Sequence, residues 1–231
     1  MSPLEIRPTA DGSLTLYVPA LDEHYHSRHG AHQESAHVFI AAGLRPLLDA
    51  GLGQPCARPL RLLEVGLGTG LNALLTLAAA RAAGAAVAYD GYETRPLPPA
   101  VVAALQPEWA AASADAAAVF ERLHTAPWGT AQALTASFFL TKLAEPIETA
   151  ALPTGYYDLL YFDAFAPEKQ PELWTEAVFA RLFAAAAPGA VLVSYCAQGQ
   201  FRRCLRAAGW LTERLPGPPG KREMTRARKP A

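Results

Sequence analysis

The sequence predicts an α/β fold built on a doubly wound, mostly parallel sheet, and three observations carry that expectation. Short apolar runs alternate along the chain with longer alanine- and leucine-rich stretches of helical spacing. The first such run, Leu62-Leu63-Glu64-Val65, passes directly into Gly66-Leu67-Gly68-Thr69-Gly70 and then into a helical stretch over residues 71–83. A second run over residues 87–92 closes on an acid, Glu93, 23 residues past Gly70.

Taken in order, the elements follow from local pattern. Asp11-Gly12 is a turn signal before the alternating stretch 14–18, which predicts a small hairpin. A helix is expected over residues 33–50 and a Gly- and Pro-containing linker over 51–59. Residues 1–57 therefore read as an N-terminal extension, and 58–231 as the α/β domain. Within it, strands are expected at 61–65, 87–92, 138–143, 157–162 and 190–195. Residues 95–135 read as a helical insertion punctuated by Pro107 and Pro127. Helices are expected at 172–186 and 199–208, and two last strands at 211–215 and 223–227.

Composition narrows the class. A chain of 231 residues, 51% hydrophobic, can bury a sizeable core. No apolar run approaches the roughly 18 residues of a spanning helix, and the first residues lack a basic and apolar leader pattern. Cys56, Cys196 and Cys204 form no C-x-x-C pair, which suits a reducing cytoplasm without a disulfide framework. The net charge of −1 hides an asymmetry, because residues 201–231 carry nine basic side chains against two acidic ones. A basic end on an acidic body points to a polyanionic partner; the alternative is a solvated tail.

The glycine run forms a ligand loop after the first strand, where the backbone must turn sharply and let a ligand approach. A dinucleotide fingerprint reads G-x-G-x-x-G. Here the third glycine comes one residue early, and Glu64 stands two before Gly66, where it is expected to face the ligand. That carboxylate would repel a diphosphate and accept an amino-acid-like cation. Glu93 has the spacing of an acid that binds ribose hydroxyls. After the fourth domain strand, Asp163 and Phe165 fall at the same carboxyl edge as the glycines, where open α/β sheets bind ligands. An acid there can orient an amine nucleophile and take its proton; alternatively Asp163 is a helix N-cap. Five histidines lie between His24 and His37, but their spacing lacks the pattern of a zinc site, so no metal is expected.

Longer blocks carry a resemblance. The E-x-G-x-G-x-G run resembles the first motif of class I methyltransferases that use S-adenosylmethionine (SAM), with a Rossmann-like sheet. Tyr161-Phe162-Asp163-Ala164-Phe165-Ala166-Pro167, followed by Pro171-Glu172-Leu173-Trp174-Thr175, resembles the signature of the tRNA 5-methylaminomethyl-2-thiouridine methyltransferases. The block from Leu21 to Ser27, which includes Tyr25, and Glu34-Ser35-Ala36-His37-Val38-Phe39 are similar to that family's N-terminal region. Leu215-Pro216-Gly217-Pro218-Pro219-Gly220-Lys221-Arg222-Glu223-Met224 is similar to its tail.

The resemblance implies SAM-dependent methylation of the exocyclic amine of 5-aminomethyl-2-thiouridine at the tRNA wobble position. It implies Glu64, Gly66, Gly68, Thr69, Gly70 and Asn72 in the cofactor motif, Glu93 on the ribose, and Asp163 with Phe165 at the amine. It places Tyr25 on the substrate side. Arg202, Arg203, Lys221 and Arg222 are the expected contacts to tRNA phosphates, unless Lys221 and Arg222 pair with acids of the same chain. One departure concerns the adenine-side acid after the third domain strand: Pro146 takes its place and Glu145 comes one residue early. Bifunctional relatives continue into a flavin-dependent oxidase domain, an activity not expected of a chain ending at Ala231. Two other functions stay open: a catalytically silent RNA-binding relative, and a small-molecule amine methyltransferase on the same fold.

Overall fold

Two sheets organise the protein, which a computed structural model describes over residues 4–55 and 57–231. Cys56 lies outside the described residues, and Cys196 and Cys204 are free thiols. The larger sheet has eight strands in the order β10-β11-β9-β8-β4-β5-β7-β6. These are β4 (Leu60–Val65), β5 (Val87–Tyr92), β6 (Gln132–Thr135), β7 (Phe138–Leu143), β8 (Tyr157–Phe162), β9 (Ala186–Ser194), β10 (Leu211–Pro216) and β11 (Glu223–Arg228). The five central strands run parallel, and β6, β11 and their neighbours pair antiparallel.

Period-two alternation explains why the central strands read as unbroken apolar runs. On one face Leu60, Leu62, Leu159 and Tyr161 pack with Val38, Phe39, Leu74 and Leu77. On the other, Leu63, Val65, Leu160 and Phe162 pack with Trp174, Phe179 and Phe201. A strand buried on both faces cannot alternate polar and apolar residues. The strand order reverses between β4 and β8, so their carboxyl ends open a crevice for a ligand.

The helices cover both faces. Helix α3 (Leu71–Ala82) follows the glycines; α4 (Pro99–Ala112) and α5 (Ala114–Thr125) form the insertion; α6 (Glu176–Ala185) and α7 (Gly199–Ala207) lie later in the chain. The insertion is less helical than expected, because its end, β6, pairs with β7 as an edge strand. Position 107 lies inside α4, and the helix breaks at Ser113 instead. There an extended backbone (φ −174°, ψ 160°) and a side chain accepting from the Ala116 N–H begin α5. Helix α6 likewise starts late, after a 3₁₀ turn at Pro171–Leu173, with Thr175 as its cap.

The first residues build β1 (Glu5–Pro8), β2 (Leu14–Val18) and β3 (Glu23–His24), a small antiparallel sheet. A continuous helical rod follows: α1 (Ala31–Ser35), a π-helical stretch (Ala36–Leu44) and α2 (Arg45–Asp49). It lies flat on the large sheet because Gly43 has no side chain. A Cβ at that position would sit 2.9 Å from Val193 Cγ2. No helix among the described residues is long and apolar enough to cross a membrane.

Candidate active site

A cavity of about 450 Å³ opens at the carboxyl ends of β4, β5 and β8. One wall is the glycine loop. Gly66, Gly68 and Gly70 all hold positive φ, at 89°, 51° and 76°. A Cβ on Gly66 would stand 2.5 Å from the Asp163 carbonyl oxygen, so the bare backbone lets the β4 and β8 loops pass. The Gly68 N–H donates to Glu93 Oε2 at 3.0 Å, and the Arg95 N–H donates to Glu93 Oε1 at 2.8 Å. Burial pushes the Glu93 carboxyl above its usual range, and these backbone bonds pull it back. Gly66, Gly68, Asn72, Glu93 and the exposed Glu145 line the cavity.

Three expected cofactor residues stand elsewhere. Gly70 faces α5, where a Cβ would lie 2.8 Å from Leu123. Thr69 is turned away, and its carbonyl accepts from His124 Nε2 at 3.2 Å. Glu64, expected to face the ligand, does not line the cavity. In β4 it shares a face with Leu60 and Leu62, beneath α3, and it is 0% exposed. It accepts from Asn72 Nδ2 at 2.8 Å and from the Tyr89 hydroxyl at 2.7 Å. Burial pushes its carboxyl well above the ordinary range.

Asn72, on the first turn of α3, connects this buried acid to the cavity. Its Nδ2 also donates to Asp163 Oδ2 at 2.8 Å, while its Oδ1 has no hydrogen-bond partner. Asp163 caps no helix: among the described residues the next helical turn begins only at Pro171. Burial, reinforced by the charge of Glu34, pushes the Asp163 carboxyl up to about 7, against the pull of Asn72 and the charge of Lys221. Phe165 meets the Tyr25 ring edge to face, with centroids 5.1 Å apart, and both line the cavity.

The roof comes from the two ends of the chain. Glu34 of α1 accepts from the Ser27 N–H at 2.8 Å and from Lys221 Nζ at 2.5 Å. The Lys221 ammonium also lies 3.9 Å from the Tyr195 ring centroid, and the Tyr195 hydroxyl donates to the Ala164 carbonyl at 2.8 Å. Sequence reasoning did not single out Glu34 or Tyr195 as site residues, although Glu34 opens one of the blocks that carry the resemblance. The four expected phosphate contacts separate. Lys221 is inside the cavity and paired. Arg202 is 7% exposed and pairs with Glu223 at 3.5 Å, because it lies at the edge of α7's buried face beside Phe201 and Leu205. Arg203 and Arg222 are exposed, with Arg203 donating to Gln200 Oε1 at 2.7 Å. Of the histidines, His32 pairs with Glu108 and His37 with the Pro216 carbonyl, and no group of three or more metal-ligating side chains occurs among the described residues.

Comparison with known proteins gives a consistent family. The family described as S-adenosyl-L-methionine-dependent methyltransferase matches residues 112–230. The chain is 33% identical over 223 residues to the "tRNA 5-methylaminomethyl-2-thiouridine biosynthesis bifunctional protein MnmC" of Magnetococcus marinus, covering 92% of this chain and 32% of that one. The protein of the same name from Pseudomonas aeruginosa strain UCBPP-PA14 is 33% identical over 211 residues, covering 89% and 32%. The chain thus spans about a third of the length of these curated relatives. The crystal structure of MNMC2 from Aquifex aeolicus shares the fold, with a TM-score of 0.76 at 24% identity over 100% of this chain and 73% of that one.

Proposed function

Because the chain belongs to the S-adenosyl-L-methionine-dependent methyltransferase family, we propose that this cavity methylates the exocyclic amine of 5-aminomethyl-2-thiouridine in tRNA, at the wobble position. Its relatives are named for the biosynthesis of tRNA 5-methylaminomethyl-2-thiouridine, the product that such a transfer would give. The observation that carries the reading is a half-buried carboxylate, Asp163, oriented by Asn72 in the same cavity as the glycine loop.

The residues present fit the cofactor. Gly66 and Gly68 line the cavity with backbone, and Glu93 already presents both oxygens to N–H donors as it would to ribose hydroxyls. Glu145, which follows β7 and lines the cavity, would take the adenine side. A cavity of about 450 Å³ is within the usual range for a small-molecule site. When bound, the cofactor supplies an electrophilic methyl group on a sulfonium.

The chain's own part is to manage the amine. An alkylamine is protonated near neutral pH and cannot attack until it loses that proton. Asp163 is the acceptor, and a carboxyl held near 7 is matched to the task. Asn72 fixes its orientation, since one amide nitrogen serves both Asp163 and Glu64. Tyr25 and Phe165 give the base an apolar wall that keeps water from the nucleophile. The exposed Arg203 and Arg222 are the tail's contacts to phosphate, and the work belongs in the cytoplasm, where tRNA is found. Incubation with SAM and tRNA bearing 5-aminomethyl-2-thiouridine, followed by mass analysis of nucleosides, tests the reading. The methylamino product is expected; its absence with catalytically competent, SAM-binding protein rejects it.

A further inference from the structure

Lys221 is an ammonium ion lodged among groups that recognise ammonium ions. Its Nζ meets Glu34 Oε1 at 2.5 Å and covers the Tyr195 ring at 3.9 Å. Its charge and that of Glu34 both reach Asp163, and all three side chains line the same cavity as Tyr195. Two carboxylates and an aromatic face make a shell suited to a cation with N–H bonds to give.

We infer that Glu34, Asp163 and the Tyr195 ring form the seat of the substrate's ammonium group, and that Lys221 occupies this seat until the substrate displaces it. The inference rests on the amine-methylating reading above and names how that site recognises its substrate.

The fold does not need the Lys221 pair to hold the tail in place. Strand β11 is hydrogen-bonded to β9 and β10, His37 holds the Pro216 carbonyl, and Arg226 ties Glu213 and the Ala42 carbonyl. The lysine is also free to leave. It sits on the turn closed by its own N–H to the Pro218 carbonyl, and its side chain is 34% exposed, against 8% for Glu34. Its long stem can carry the charge to solvent without moving the backbone. The resident cation keeps two neighbouring carboxylates from facing each other uncompensated while the site waits. It also makes the site selective, because only a ligand bringing its own positive charge can repay its departure.

The test compares Lys221→Met with Glu34→Gln, a pair that keeps side-chain size. Methylammonium chloride is the probe, read as a shift in melting temperature against equal sodium chloride. Methylammonium is expected to stabilise Lys221→Met more than the native protein, and to lose this effect in the double variant. With aminomethyl-bearing tRNA, Lys221→Met is expected to lower KM. If the lysine fills the seat nine-tenths of the time, the gain is about tenfold, the inverse of the fraction competent to bind. Glu34→Gln is expected to raise KM while leaving SAM affinity, measured by calorimetry, unchanged. An unchanged or higher KM in Lys221→Met, or no methylammonium effect, overturns the inference. Methylammonium binding without methylation of tRNA by the native protein would keep the seat and reject the function.

Discussion

The two sides of the cavity are made in different ways. The cofactor side is backbone: Gly66 and Gly68, both at positive φ, and two N–H groups donating to Glu93. The amine side is side chain, assembled from α1, β8, the end of β9 and the turn before β11. Backbone recognition suits a ligand shared by many enzymes, whereas side chains drawn from distant segments suit one substrate. The difference teaches where substitutions act: on the loop through conformation, on the amine side through charge.

The largest effect is expected at Asp163. Asp163→Asn keeps the shape and loses the proton acceptor, and kcat is expected to fall by roughly a hundredfold to ten-thousandfold with SAM affinity unchanged. A smaller loss would put proton removal on another group and blur the comparison. In the native protein the single-turnover rate should rise with pH through about 7, as Asp163 loses its proton facing Glu34, Lys221, Asn72 and Tyr195. Stability has the opposite sign. A carboxyl raised in the folded state favours folding below its unfolded value and loses that contribution as pH rises toward about 7. Asp163→Asn should therefore melt higher than native protein at pH 8, with the gain shrinking under acid conditions.

A backbone change should act on the other side. Gly68→Val places a branched side chain at φ 51°, against the Tyr25 ring. The left-handed strain costs about 1–2 kcal/mol of stability, and to relieve it the loop must shift from the shape that lines the cavity, so SAM affinity by calorimetry is expected to drop, by about tenfold if the shift costs about 1.4 kcal/mol. Unchanged affinity would mean that the loop is not the cofactor's wall. The smallest effect is outside the cavity. Arg203→Ala and Arg222→Ala are each expected to reduce the log–log salt slope of tRNA binding by about 0.7–0.9 and to leave the melting temperature unaltered. A slope that does not move would shift the tRNA surface away from the tail.

Much of this was legible in the chain, and what was not has a physical reason. The glycine loop, Glu93 and the Asp163–Phe165 edge are local patterns at strand ends, so spacing alone located them. Glu64 was placed on the right strand and the wrong face, although period-two alternation with Leu60 and Leu62 already put it under a helix. Arg202 looked like a free basic residue, yet Phe201, Cys204 and Leu205 mark the buried face of α7 beside it. That Lys221 pairs with an acid of its own chain was one of the two readings the sequence offered; that the acid is Glu34 was beyond reach, because the partners lie 187 residues apart and no local periodicity encodes such a meeting.

That separation also bears on how the protein is made. During translation the glycine loop, Asp163 and Glu34 all leave the ribosome before Lys221 and β11. Until then β9, buried from Ala190 to Ser194, is a bare strand edge open to pairing with another chain. The last hairpin both covers that edge and delivers the lysine, so completion of the sheet and arming of the amine side are one folding event. Long-range closure of this kind is slow, and a stalled nascent chain would carry a finished cofactor loop without a finished site for substrate.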